Sequence, residues 1–256
     1  MSTDSYWLSR VTPRPGIGWK DMAALGELDP YGQHRTLWKL FDMPPREERQ
    51  GQPAPFLFRA ETRDGLPVFY VLSRQVPQDH PGIWHIEPKR YVPAIEAGDR
   101  LAFKLRANPV VQAKMERTAD ESQQWGERRK GENQKDKLVT KKRVRHDVVM
   151  DAKHRMSWKD IPPEERPTLA MLAYEAGSCW LRDKFERLGC SLDDEVLRVD
   201  GYRTWRQQRG KGIELATLDF EGMLTVTDPE RLVPALLSGI GHAKAFGCGL
   251  LLVRRI

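Results

Sequence analysis

The sequence predicts an α+β chain of two tandem domains, each built as a split strand–helix–strand unit. Three observations carry that expectation. Residues 100–254 read strand, helix, strand, strand, helix, strand. Residues before 93 start in the same order and have their second helix reduced. Two helices begin on the same device, Asp29-Pro30 and Asp228-Pro229, an aspartate cap followed by proline at the first helical position.

Each element follows from local chemistry. Residues 5–12 are rich in strand formers. The helix capped by Asp29 runs to about Phe41 and stops before Pro44-Pro45. Residues 55–61 and 67–74 read as strands, with Asp64-Gly65 as the turn between them. The stretch 76–93 is proline-rich with one strand at 84–87, and its end divides the expected domains, 1–93 and 94–256. A strand at 100–107 opens the second domain, and a basic insertion, 110–155, follows. Residues 168–188 place Leu169, Leu172, Ala173, Ala176, Trp180 and Leu181 at helical spacing. Strands at 195–203 and 213–226, the helix after Asp228, a glycine-rich loop at 239–249 and a last apolar strand at 249–254 complete the order. This is the order of the ferredoxin-like fold, so two tandem ferredoxin-like domains are expected.

Composition bounds the function. Hydrophobic residues make up 39% and charged residues 30%, enough apolar material for a packed core. The net charge is +6, and its location is informative. Between Gly126 and Arg155 eleven Lys or Arg face five Asp or Glu, so this stretch alone has a surplus equal to that of the whole chain. Lys141, Lys142, Arg143 and Arg145 lie in a stretch that alternates as a strand edge does, while residues 121–137 hold almost no apolar residue and read as a loop. A second basic cluster, Arg203, Arg206, Arg209 and Lys211, is interleaved with Tyr202 and Trp205. Cations neutralise phosphates and aromatic planes stack on unpaired bases, so both clusters are candidate RNA contacts. A solvated basic surface is the plainer alternative. The cysteines, Cys179, Cys190 and Cys248, are odd in number and form no Cys-x-x-Cys pair, which argues against a disulfide scaffold and a zinc ribbon. No signal peptide and no membrane-spanning run is read from the sequence, so a reduced cytoplasmic protein without a membrane partner is expected.

Tyr31, His34 and Trp38 are spaced i, i+3, i+7 and share one helix face. On those residues alone, His34 reads as a core-edge imidazole or as a catalytic group. No pair of histidines at helical spacing and no convincing paired-carboxylate motif emerges, so neither a metal nor another cofactor is expected.

The most distinctive run is Gly239-Ile240-Gly241-His242-Ala243-Lys244-Ala245-Phe246-Gly247-Cys248-Gly249-Leu250-Leu251. A dinucleotide fingerprint needs Gly where Lys244 stands, and a P-loop needs Ser or Thr after its Gly-Lys. Backbone amides around Gly241, with Lys244, are candidates for holding phosphates. A helix cap and tight turn account for one or two of these glycines.

This loop resembles the signature loop of the RAMP superfamily, whose domains are RRM-like, and more closely that of its CasE family. Tyr6-Trp7-Leu8-Ser9-Arg10 resembles the family's first strand, Leu105-Arg106-Ala107-Asn108-Pro109 its mid-chain motif, and Phe220-Glu221-Gly222 with Leu224 and Asp228 its penultimate strand and turn. The likeness runs from residue 6 to 252. It implies an endoribonuclease that binds the repeat hairpin of CRISPR precursor RNA, cuts it to mature crRNA without a metal, and stays bound as a subunit of Cascade. Tyr31, His34, Leu37, Trp38, Leu40 and Phe41 match the helix that carries the family's active histidine. His34 is then general acid or base, Tyr31 orients the ribose or phosphate or holds the imidazole, and Lys244 and Arg35 are candidates for stabilising charge. The alternatives are a RAMP-type subunit that holds crRNA without cutting it, and a basic RNA chaperone.

Overall fold

The computed structural model describes residues 5–26, 29–42, 55–116, 120, 141–207 and 213–256. Strand β1 (Tyr6–Pro13) leads into helices α1 (Trp19–Gly26) and α2 (Pro30–Trp38), then β2 (Phe56–Arg63), β3 (Leu66–Ser73) and β4 (Trp84–Tyr91). These strands form an antiparallel sheet in the order β2-β3-β1-β4. Asp64 and Gly65 both have positive φ, 52° and 77°, which is the type I′ turn that matches strand twist. The first five residues of β2 are buried, on both faces of the strand. Phe56, Phe58 and Ala60 pack with Leu37 and Phe41, while Leu57 packs the other way against Leu250.

Residues 74–83 contain no helix, so the first ferredoxin-like unit lacks its second one, as the sequence implies. Two details differ from expectation. Helix α1 was not foreseen; it is short and Leu25 is its buried residue. Strand β4 continues past Glu87 to Tyr91 although Pro88 sits in its middle. It is an edge strand, where a missing N–H costs no ladder bond on the open side.

The second unit starts with β5 (Arg100–Ala107). A two-stranded ribbon follows, β6 (Val110–Glu116) and β7 (Lys141–Asp147), then α3 (Val148–Arg155) and α4 (Leu169–Arg187). Strands β8 (Cys190–Leu192), β9 (Arg198–Gln207) and β10 (Ile213–Val226), helix α5 (Pro229–Ser238) and β11 (Leu251–Arg255) complete the chain. The sheet order is β11-β5-β10, and β8 and β9 lie end to end along the far side of β10. That is the ferredoxin-like order again, fourth, first, third, second. Leu172, Leu181 and Phe185 of α4 pack on Leu101, Phe103, Leu105 and Phe220. The helix lies close because Gly177 has no side chain: a Cβ there would meet Val199 Cγ1 at 2.8 Å.

The alternating stretch at 141–147 is indeed a strand, paired to β6 from Val110↔Asp147 to Glu116↔Lys141. The polar stretch 121–137 lies outside the described residues. Helix α3 and strand β8 had no sequence signal beyond a capping aspartate, Asp147, whose side chain accepts from Val149 N and Met150 N.

Candidate functional site

Helix α2 is fixed at its start by Asp29, whose carboxylate accepts from Gly32 N, and by Pro30. Tyr31 and His34 then lie on a side that faces other aromatic rings. His34 stacks on Phe58 at 6.1 Å and 19°, meets Phe56 at 5.5 Å and stands edge-on to Trp38 at 5.9 Å. Trp38 Nε1–H donates to His34 Nε2 at 3.1 Å. An imidazole that accepts there carries its own proton on Nδ1, so the arrangement selects one neutral tautomer. Burial acts in the same direction and holds the His34 pKa below its ordinary value near 6.5.

The glycine-rich loop closes on this helix. Gly249 N donates to Arg106 O at 2.7 Å, which ties the end of the loop to β5, and Ile240 N donates to Gly249 O at 2.8 Å, which closes the loop's two ends on each other. A one-turn 3-10 helix at Lys244–Phe246 then brings the Phe246 ring to 6.2 Å from Tyr31. Gly247 has φ +75°, and a Cβ there would lie 3.1 Å from Phe58 Cε2. Any side chain at 247 therefore presses on the ring beneath His34.

The structure brings some of the sequence candidates together and separates others. Trp205 and Arg206 line a recess with Tyr31 and Phe246, and Arg203 lines an adjoining cleft with Pro30 and Gln33. Lys244 Nζ donates to the Ser238 carbonyl at 2.6 Å, the last residue of α5. Gly241 borders a different recess, with Lys184 and Arg231. Arg35 is exposed in the last turn of α2. Arg145 is exposed on β7, and Lys141, Lys142 and Arg143 precede it in the same strand with side chains outside the described set. Arg209 and Lys211 also lie outside the described residues.

Sequence reasoning missed two features. The first is the ring box of Phe56 and Phe58 around His34, which depends on how β2 passes under α2. The second is an ion cluster between the two sheets. Asp219 of β10 accepts from Arg106 Nε at 3.0 Å and Nη2 at 2.8 Å, and pairs with Arg59 Nη2 at 3.1 Å. Arg106 Nη1 also donates to the Ala60 carbonyl at 3.0 Å. The available signal was Arg59 itself, a cation inside the apolar run Phe56-Leu57-Phe58-Arg59-Ala60. No group of three His, Cys, Asp or Glu suited to a metal occurs among the described residues, and no helix there is long and apolar enough to cross a membrane.

A family model described as CRISPR associated protein matches residues 6–255. The chain belongs to the CasE family of CRISPR-associated proteins. The CRISPR-associated endoribonuclease Cse3 of Thermus thermophilus is 30% identical over 254 residues, covering 96% of this chain and 99% of that protein. The Cascade subunit CasE of Escherichia coli is 27% identical over 225 residues, covering 87% of this chain and 90% of that one. Among solved structures, Thermus thermophilus Cse3 bound to an RNA representing a pre-cleavage complex matches with a TM-score of 0.60 and 25% identity, over 98% of this chain and 99% of that chain. In this chain the helix that bears His34 and the glycine-rich loop are in contact, through Tyr31 and Phe246.

Proposed function

We propose that the chain is a metal-independent endoribonuclease that binds the repeat hairpin of CRISPR precursor RNA and cuts at the 3′ foot of its stem. The observation that carries this reading is His34, a neutral, half-buried imidazole held by Trp38 where α2 meets the glycine-rich loop. The 2′-hydroxyl of the nucleotide before the cut attacks the adjacent phosphorus. An O–P bond forms to the 2′ oxygen, the bond to the 5′ oxygen breaks, and the products are a 2′,3′-cyclic phosphate and a 5′-hydroxyl. One proton leaves the 2′-hydroxyl and one reaches the 5′ oxygen. His34 serves one of these transfers, as acid or base, which contributes roughly 10²–10⁴-fold. Tyr31 orients the ribose or phosphate beside it. The Lys244 ammonium has two further N–H donors besides the one on Ser238, and with Arg35 it is a candidate for stabilising charge on the phosphate.

Arg203 and Arg206, with Arg209 and Lys211 next to them in the sequence, form one clamp on the RNA backbone. The β6–β7 ribbon, with Lys141, Lys142, Arg143 and Arg145, forms the other. A-form RNA buries its base edges in a deep narrow groove, so these cations read phosphates and shape. The backbone amides at Gly241 add a smaller phosphate contact. The cut hairpin stays bound, and the chain thereby joins the other Cascade subunits in the cytoplasm, where the transcript is made. A labelled repeat hairpin incubated in EDTA tests the reading. Wild type cuts the all-ribose RNA and leaves RNA with a 2′-deoxy nucleotide before the cut intact. Tight binding with no cutting of either identifies a subunit that only holds crRNA.

A further inference from the structure

Beside the His34 site lies a second cleft, between the second sheet and the β2–β3 hairpin. Trp205, Phe246 and Pro30 are apolar parts of its wall, and Arg203, Arg106 and Gln33 polar ones. The strand register explains the wall. Trp205 lies opposite Leu215 and Arg203 opposite Thr217, so alternate residues of β9 reach one face. Helix α4 covers the other face, where Gly177 abuts Val199 and Leu218. The cleft lies on the face that α4 leaves open, bordered by Leu25 of α1 and by Pro30 and Gln33 of α2.

Two observations say what this cleft suits. Trp205 is 39% exposed, an indole plane left in water at the edge of a concave surface. Arg203 is exposed, and among the described residues it has no ion-pair partner. An aromatic plane beside an unneutralised cation binds the two halves of a nucleotide, the base by its face and the phosphate by its charge. The one carboxylate in the wall, Glu61, is held by Arg59 Nε at 3.1 Å and adds little repulsion.

We propose that this cleft takes the unpaired nucleotide immediately 3′ of the cut, with its base stacked on Trp205 and the phosphate on its 3′ side against Arg203. The inference rests on the endoribonuclease reading above and assigns a subsite to it. A cut at the 3′ foot of a stem separates a paired nucleotide from an unpaired one. Only the unpaired base exposes a face for stacking. Phe246 and Pro30 wall both this cleft and the recess of Tyr31, so consecutive nucleotides pass from one to the other. The nucleotide then leaves with the 5′-hydroxyl product, and its contacts are lost on cleavage. Binding energy spent here favours uncut RNA.

Two RNAs test it, both with a 2′-deoxy nucleotide before the cut so that neither is cleaved. One carries a normal base 3′ of the cut and the other an abasic residue. Wild type prefers the base by about 5- to 150-fold, the range for one stacked base. Trp205→Ala brings the preference close to one, and Trp205→Phe, which keeps an aromatic plane, retains most of it. Equal affinity of wild type for both RNAs, or a full preference in Trp205→Ala, overturns the assignment while leaving the endoribonuclease reading intact. Failure of wild type to bind either hairpin overturns that reading, and this subsite with it.

Discussion

Removing the Asp219 carboxylate should loosen the two domains, because Asp219 is the hub of the ion cluster between them. Arg59 is 3% exposed, and its Nη1 has no hydrogen-bond partner even with the cluster intact. Its charge is balanced by Asp219 at 3.1 Å and by Glu61 at 3.1 Å. Arg106 grips the same carboxylate with two nitrogens. Asp219→Ala leaves two guanidinium groups side by side with one remaining anion. Breaking a buried pair in this way costs about 3–5 kcal/mol. The Asp219 and Arg106 side chains are 18% and 24% exposed, so solvent screens part of the loss and the lower figure, about 3 kcal/mol, applies. Arg59→Met removes a cation but leaves Asp219 chelated by Arg106, and should cost only about 1 kcal/mol. Urea unfolding separates the two. With a slope of about 2–3 kcal/mol per molar, Asp219→Ala lowers the midpoint by roughly 1 M, and Arg59→Met by a third of that. Equal losses under 1 kcal/mol in both variants would refute the hub argument.

Two further predictions concern the histidine. Trp38→Phe keeps an aromatic ring but removes the N–H that the neutral imidazole accepts. Burial already holds the His34 pKa below 6.5, and the Trp38 bond favours the same neutral form. Its loss should move the inflection of the cleavage–pH profile upward; an unmoved inflection contradicts the assignment. For stability, the unfolded imidazole binds its proton first as pH falls below 6.5, so His34 makes the wild type less stable on the acid side of that value. Gly247→Ala puts a Cβ 3.1 Å from Phe58 Cε2 at a φ of +75°. The backbone alone costs about 1–2 kcal/mol, and the push on Phe58 should slow cleavage more than it weakens RNA binding. A purely structural role for Gly247 would lower both together.

Much of the fold was legible because each element carries its own signal. The Asp29 and Asp228 carboxylates both accept helix N–H groups as their Asp-Pro pairs imply. The Asp64-Gly65 turn and the spacing of α4 were equally explicit. The short elements were not. Three-residue β8 depends on pairing to the end of β10, and the end of β4 depends on being at an edge. At the site, the helical spacing put Tyr31, His34 and Trp38 together, but spacing does not tell a packed tryptophan from one that donates to a histidine. The position of Lys244, turned to the Ser238 carbonyl, follows from loop geometry that no residue pattern encodes. The Arg59, Arg106 and Asp219 cluster was hidden for another reason. Its members are far apart in sequence, and only the meeting of two sheets gives an inward-facing arginine its partner.

The central claim is that His34 transfers a proton in a metal-free cleavage. Single-turnover cleavage of a labelled repeat hairpin by wild type and His34→Ala, with EDTA throughout and RNA affinity measured alongside, tests it most directly. Wild type should cut, and His34→Ala should bind the hairpin as tightly but cut roughly 10²–10⁴-fold more slowly. Equal rates for the two proteins would contradict it.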